Sequence, residues 1–244
     1  MKGSTETSSR AADHARFYRA LGRLEAAVGG KRRLSDCDGR MQWPIRGVYF
    51  FFETGECRSH SGTGLRVMRV GTHAVSSGSR TTLWNRLSQH RGVASTGGGN
   101  HRGSVFRLLV GTALMKCDPG CGATTWGGSR PDTENDRVAE RGLEGLVSGV
   151  IGEMSLLWLR VDDPAGRTSQ RGYIERNAIA LLSNHGREAL DPPSDRWLGL
   201  DCPKEAVQGS GLWNQRHVEQ THDPEFLPAL ERMVDGHIAW GGGA

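Results

Sequence analysis

The sequence predicts an α/β domain: a small, mainly antiparallel three-stranded sheet flanked by helices, with an N-terminal helical appendage and a C-terminal extension. Three observations carry that expectation. Short apolar runs at residues 48–52, 65–71 and 156–161 have the length and the β-branched or aromatic content of strands. Other segments carry apolar residues at helical spacing, most clearly Ile174, Ala178, Ile179 and Leu182. The first two strand candidates are joined by a turn-rich stretch holding Gly55, Gly62 and Gly64, which makes them a long-looped hairpin. With 244 residues, 36% hydrophobic content and seven Trp, the chain can bury one sizeable core.

Residues 1–10 are polar and Ser/Thr-rich and are expected to be disordered. Phe17, Leu21, Leu24 and Val28 then recur at helical spacing until Gly29-Gly30 stops them. That helix suits an appendage, a dimer contact or a DNA contact. Trp43-Pro44 marks entry to the main domain. After the hairpin, residues 81–91 read as a helix with Leu83 and Leu87 inward and Thr81 or Thr82 as its cap. Arg86 and His90 are four apart on it and share a face. A Gly-rich loop, 97–99, leads to His101 and a further helix over 104–114. The stretch 116–136 reads as turns, 137–147 as a helix, 173–183 as a strong helix and 226–234 as the last one. The expected division is 1–43 for tail and helix, 44–214 for the main domain with insertions near 116–136 and 185–211, and 215–244 for the C-terminal helix and tail.

Net charge is only +4, but its distribution is uneven. Between Cys57 and Cys117 there is no Asp or Glu, while nine Arg and Lys residues fall inside. An acid-free basic segment suits a polyanionic partner. Arg66, His73, Arg91, Arg102 and Arg107 are therefore expected to bind substrate. Five Cys make an odd count, and the N-terminus has no apolar core of a signal peptide. No run approaches the roughly 18 apolar residues of a membrane span. A reducing cytoplasm is the expected setting, with no membrane partner. Cys117 and Cys121 read as half a zinc site or, more simply, as a turn with two free thiols.

Phosphodiester hydrolysis needs a base for water, a divalent ion, a carboxylate to hold it and a cation to offset charge on the phosphate. Tyr49, Arg86, His90, His101, Glu175 and Asn214 are polar side chains beside apolar runs that could divide that work. Taken in order, they resemble the GIY-YIG nuclease family. The first signature is present as Gly47-Val48-Tyr49, and the second as Arg69-Val70-Gly71 closing the next strand. The helix that follows carries Arg86 with His90 four beyond; His101 matches a second histidine. Glu175 matches the metal-binding glutamate of the third helix. The late asparagine is Asn214 in Gly-Leu-Trp-Asn, or else Asn184.

The resemblance implies a Mg²⁺- or Mn²⁺-dependent endonuclease acting on DNA, expected to be double-stranded. Tyr49 would act as base or position the water, Glu175 would hold the ion, and Arg86 would stabilise the phosphate. His90 and His101 would assist, and Asn214 would orient Glu175 or a phosphate. The standalone architecture resembles restriction-type members, so restriction or phage defence is the expected role with repair and mobile-element roles left open, and cutting a palindrome would imply a homodimer. Arg69 departs from the pattern, since the family usually has tyrosine there; its guanidinium suits a phosphate instead. Two other classes compete: a DNA-binding module that has lost cleavage, and a zinc-stabilised interaction protein, for which ligands are lacking.

Overall fold

The computed structural model describes residues 2–128, 133–166 and 168–241. In chain order these form α1 (Lys2–Ala27), β1 (Arg32–Arg33), β2 (Gly47–Cys57), β3 (Leu65–Thr72), α2 (Leu83–Arg91), α3 (Val105–Cys117), α4 (Glu134–Glu153), β4 (Ser155–Arg160), α5 (Gln170–Leu182), α6 (Glu205–Ser210) and α7 (Phe226–Trp240). Short 3₁₀ turns punctuate the loops.

The apolar runs do become strands, and β2 is the central one. It pairs antiparallel with β3 on one side and β4 on the other, so that Val48 to Phe52 are all buried. The sheet order is β1-β4-β2-β3, one strand more than the three expected. The addition is only two residues, Arg32 and Arg33, opposite Leu156 and Ser155. Two exposed arginines have no apolar alternation, which is why the sequence does not mark them as a strand.

Alternation along β2 separates two faces. Tyr49 and Phe51 turn toward α2 and α3, where they meet His90 and Phe106. Phe50 turns the other way and packs edge-on against Phe17 of α1, which in turn meets Phe226 of α7. Phe17, Leu21 and Leu24 are at most 2% exposed, so α1 lies in the same core as the sheet.

The helix also begins earlier than expected, at Lys2 rather than after a disordered tail. Arg10 accounts for part of this. Its guanidinium donates to the carbonyls of Leu181, Ser183 and Glu188 and to Asn184, fixing that turn against the end of α5. Within 116–136 the expected turns include a 3₁₀ segment, Pro119–Cys121, while 129–132 lie outside the described residues. From Glu134 the chain is helical, started by a capping box between Thr133 and Asp136, so α4 outruns the expected 137–147 at both ends.

The outer edge of β3 is covered rather than open. Trp213 N donates to Met68 O at 2.7 Å, and Asn214 brackets Val70 with one bond to its N–H and one to its carbonyl. A late segment of chain thus closes a sheet edge that would otherwise carry unpaired backbone groups.

Gly47 opens β2 where no side chain fits, because a Cβ there would overlap the carbonyl oxygen of Leu159 on β4. Gly47→Ala is expected to lower stability by about 1–3 kcal/mol, as overpacking against rigid backbone does. Urea unfolding monitored by tryptophan fluorescence measures it.

Candidate active site

Tyr49 and Gly71 are paired across β2 and β3, and the phenol lies over the glycine: a Cβ on Gly71 would overlap the Tyr49 ring and hydroxyl. The two signature triplets are therefore one packing unit, a tyrosine and the space it needs. The Tyr49 oxygen is 2.8 Å from His90 Nε2, and His90 Nδ1 is 2.8 Å from Ser104 Oγ. All three residues are essentially buried, at 1%, 0% and 0% exposure. Burial, reinforced by the charges of Arg86, Arg69 and Arg107, holds the His90 pKa well below the ordinary histidine value. His90 is thus neutral at physiological pH.

Arg69 stands opposite Phe51 on the same sheet face. Its guanidinium lies 4.6 Å from the Phe106 ring centroid, within electrostatic reach of Tyr49, and donates to the carbonyl of Trp213. It also lines a cleft of about 490 Å³ that opens beside β3 and α5. Tyr49 does not itself line that cleft; Arg69 links the two.

The cleft wall includes one carboxylate, Glu175, and four arginines, Arg69, Arg86, Arg176 and Arg216. Glu175 sits on α5 near the end of β3. Burial pushes its pKa up, against the pull of Arg69, the Thr72 backbone N–H, Arg86 and Arg216. Arg86 is half-buried and donates to the Gly103 carbonyl at 2.9 Å. Asn214 also lines the cleft, though its amide is engaged with Val70. Asn184 is elsewhere: its Oδ1 accepts from Arg10 and from the Leu190 N–H.

Tyr49, Arg69, Arg86, His90, Glu175 and Asn214 are thus brought to one neighbourhood. His101 is not. Its Nδ1 lies 3.0 Å from Glu144, its Nε2 accepts from Gly127 N–H, and its ring stacks on Trp126. The expected substrate arginines are likewise drawn inward, each by partners from outside the acid-free segment. Arg66 pairs with Glu56 and donates to Asp191 and Gly211 carbonyls. Arg91 lies over Trp84 and donates to the Cys37 carbonyl. Arg102 makes a two-pronged bond to Glu140, and Arg107 is fully buried against Glu144. His73 faces the Ile45 carbonyl, and burial beside Arg171 lowers its pKa to about 4. These five build the fold around the cleft rather than face it.

Sequence reasoning missed the cleft's own outward cations. Arg176 follows Glu175 directly and Arg216 lies two beyond Asn214, so adjacency to the candidate residues was the available signal. His217 belongs with them: it lines the cleft with φ +66°, and its buried Nδ1 has no hydrogen-bond partner.

Among the described residues no cluster of three or more His, Cys, Asp or Glu could hold a metal, and all five cysteines are free thiols. A single carboxylate facing an open cleft still suits a hard divalent ion held mostly through water and substrate phosphate, as Mg²⁺ commonly is. No described helix is long and apolar enough to cross a membrane.

An antiparallel sheet that pins a tyrosine beside an arginine-lined cleft with one carboxylate is suited to a polyanionic ligand. A family model of the GIY-YIG domain matches residues 8–239, and the chain belongs to the GIY-YIG nuclease family. Comparison with curated proteins and with solved structures gives no match.

The raised pKa of Glu175 has a stability consequence. A carboxyl whose folded pKa exceeds its unfolded one favours the folded state while protonated and loses that contribution as pH rises through the folded value. Glu175→Gln is therefore expected to be more stable than wild type at pH 8, with the gap closing toward pH 4; urea midpoints at both pH values test this. Arg107→Ala should behave oppositely, losing about 3–5 kcal/mol because Glu144 is left buried without its partner. The same denaturation assay reads it.

Proposed function

We propose that this protein is a divalent-metal-dependent endonuclease that hydrolyses phosphodiester bonds of DNA. The observation that carries the reading is the convergence on one cleft of a lone carboxylate, Glu175, with Arg69, Arg86, Arg176 and Arg216. A wall with four guanidinium groups and one carboxylate favours a polyanion and leaves the carboxylate free for a cation. Glu175 would hold Mg²⁺ or Mn²⁺ through water. Such an ion, when bound, polarises the phosphate and offsets charge on the leaving oxygen.

The chain's own groups supply the rest. Arg86 and Arg69 offset the charge that builds on the non-bridging oxygens. Tyr49, fixed by His90 and by the glycine beneath it, orients the attacking water or takes its proton. Asn214 holds the cleft wall to β3, which sets Arg69 at the right depth through the neighbouring Trp213 carbonyl. Arg176 and Arg216, exposed on the rim, would engage flanking phosphates. Double-stranded DNA is the substrate that a rim of this kind fits, a second copy of the chain would serve a palindromic site, and restriction or phage defence is the role proposed with it.

The second reading is a DNA-binding module without cleavage. One observation favours it: Tyr49 is 1% exposed and stands behind Arg69. Nicking of supercoiled plasmid in Mg²⁺ or Mn²⁺ decides between them. The expected result is metal-dependent nicking that disappears in Glu175→Ala and on chelation with EDTA. Salt-sensitive binding with no cleavage in either metal would leave the binding module standing instead.

The rim arginines give a separate test. Arg176→Ala and Arg216→Ala should each weaken DNA binding across all sequences and reduce the slope of log affinity against log salt by about 1. Their stability should stay within about 0.5 kcal/mol of wild type, as at most surface sites. Fluorescence anisotropy with a labelled duplex measures the first, and urea unfolding the second.

A further inference from the structure

Besides Glu175 and the four arginines, the described cleft wall holds one more ionisable group, His217. Its backbone has φ +66°, a left-handed conformation that costs a histidine free energy and persists where neighbours impose it. They do so here. Three and four residues earlier, Asn214 and Trp213 are bonded to β3, and the Gln220 N–H donates to the His217 carbonyl at 3.3 Å. The ring is half-buried, and its Nδ1 is buried without a hydrogen-bond partner. A strained position with an unpaired ring nitrogen, set in a cleft, points to a group whose partner is a ligand.

The surrounding charges decide what kind of ligand. Burial lowers the His217 pKa below the ordinary histidine value, and Arg176 on α5 and the adjacent Arg216 lower it further, against a pull from Gln220. Glu175 on α5, Arg69 on β3 and Arg86 on α2 complete the ionisable groups described in the wall. Arg176 and Arg216 are exposed, and neither forms an ion pair among the described residues. Two unpaired guanidinium groups beside an imidazole repel a cation, so the ring's partner is an anion. A phosphate suits all three, because its oxygens accept from several donors at once.

We propose that His217 joins Arg176 and Arg216 in a phosphate-binding subsite on the cleft rim, and that it takes up a proton when the phosphate arrives. With the subsite empty the ring stays neutral, because a third positive charge there is opposed. A bound phosphate reverses the local charge, and the imidazolium becomes the favoured form. By linkage, binding tightens as pH falls through the range in which the bound ring is protonated and the free ring is not. That the phosphate belongs to a nucleic acid rests on the nuclease reading above; the subsite and its proton do not.

Two measurements on the full-length chain test this. NMR of the histidine Cε1–H groups follows the His217 titration, its signal assigned by the loss in His217→Asn. Asparagine tolerates the left-handed backbone and carries no titrating ring. Sulfate, whose charge stays fixed across the histidine range, serves as the phosphate probe against chloride of equal ionic strength. The His217 midpoint should rise by about 1 pH unit in sulfate, the low end of what one adjacent opposite charge does. The rise should shrink when Arg176 and Arg216 are both changed to Ala. An unmoved midpoint overturns the subsite, and so does a rise of equal size in the double variant, which would make it an effect of screening alone.

Fluorescence anisotropy of a labelled duplex in EDTA supplies the second readout. Wild type should bind about ten-fold more tightly at pH 6 than at pH 8, a part of the roughly hundred-fold that one whole proton gives over that interval. His217→Asn should flatten the dependence to less than about two-fold, whereas Glu175→Gln should keep it. A dependence absent from the wild type or kept in His217→Asn overturns the proton uptake, as does one that Glu175→Gln flattens instead. If the duplex binds at neither pH, the nucleic-acid reading fails, while the sulfate titration still decides the subsite.

Discussion

The buried pair of Arg107 and Glu144 is the constraint on which the rest of the arrangement hangs. Arg107 bonds the Glu144 carboxylate and its backbone carbonyl, Ser148 Oγ, and the carbonyl of His90. Glu144 in turn accepts from both the backbone and the ring of His101. One guanidinium and one carboxylate thus tie the end of α2, the loop before α3, α3 itself and α4 together. Neither group could be buried alone, because an unpaired internal charge is far too costly. Their pairing places α2 so that His90 meets Tyr49, and it is satisfied at almost every donor. The cleft has its geometry because charges behind it are settled.

This also explains what the acid-free segment is for. Read along the chain, nine basic residues without a single acid suggest a surface awaiting a polyanion. In the fold, several of those arginines are the internal half of ion pairs whose acids come from elsewhere: Glu56 for Arg66, Glu140 for Arg102, Glu144 for Arg107. Arg107 and Glu144 lie 37 positions apart, and nothing local in the sequence links them. Hydrophobic periodicity is local, so β2, β3, β4 and most helices could be read directly. The signature glycines were legible as well, since Gly47 and Gly71 answer to neighbours on paired strands. Long-range charge pairing leaves no such trace, and neither does a two-residue edge strand of exposed arginines. Of the four arginines that line the cleft, Arg69 and Arg86 lie inside the segment that drew attention first, and Arg176 and Arg216 lie outside it.

The departure at Arg69 looks different once its surroundings are known. The position shares a sheet face with Tyr49 and Phe51, so whatever stands there packs on Phe106 and points toward the cleft. A tyrosine would bring one hydroxyl. An arginine brings a planar, permanently charged group that can stack on the ring, donate to Trp213 O, stand close to Tyr49 and still reach the cleft. Burying that charge is costly, and the Phe106 face, the Trp213 carbonyl and the nearby Glu175 carboxylate offset the cost. Arg69 is therefore tied to the same late segment, 213–214, that seals the edge of β3. A change that loosens that segment should act on the site through Arg69 even without touching Tyr49 or Glu175. The substitution does not read as a site decaying at its second signature. It reads as a site in which phosphate charge and tyrosine position are handled by one side chain.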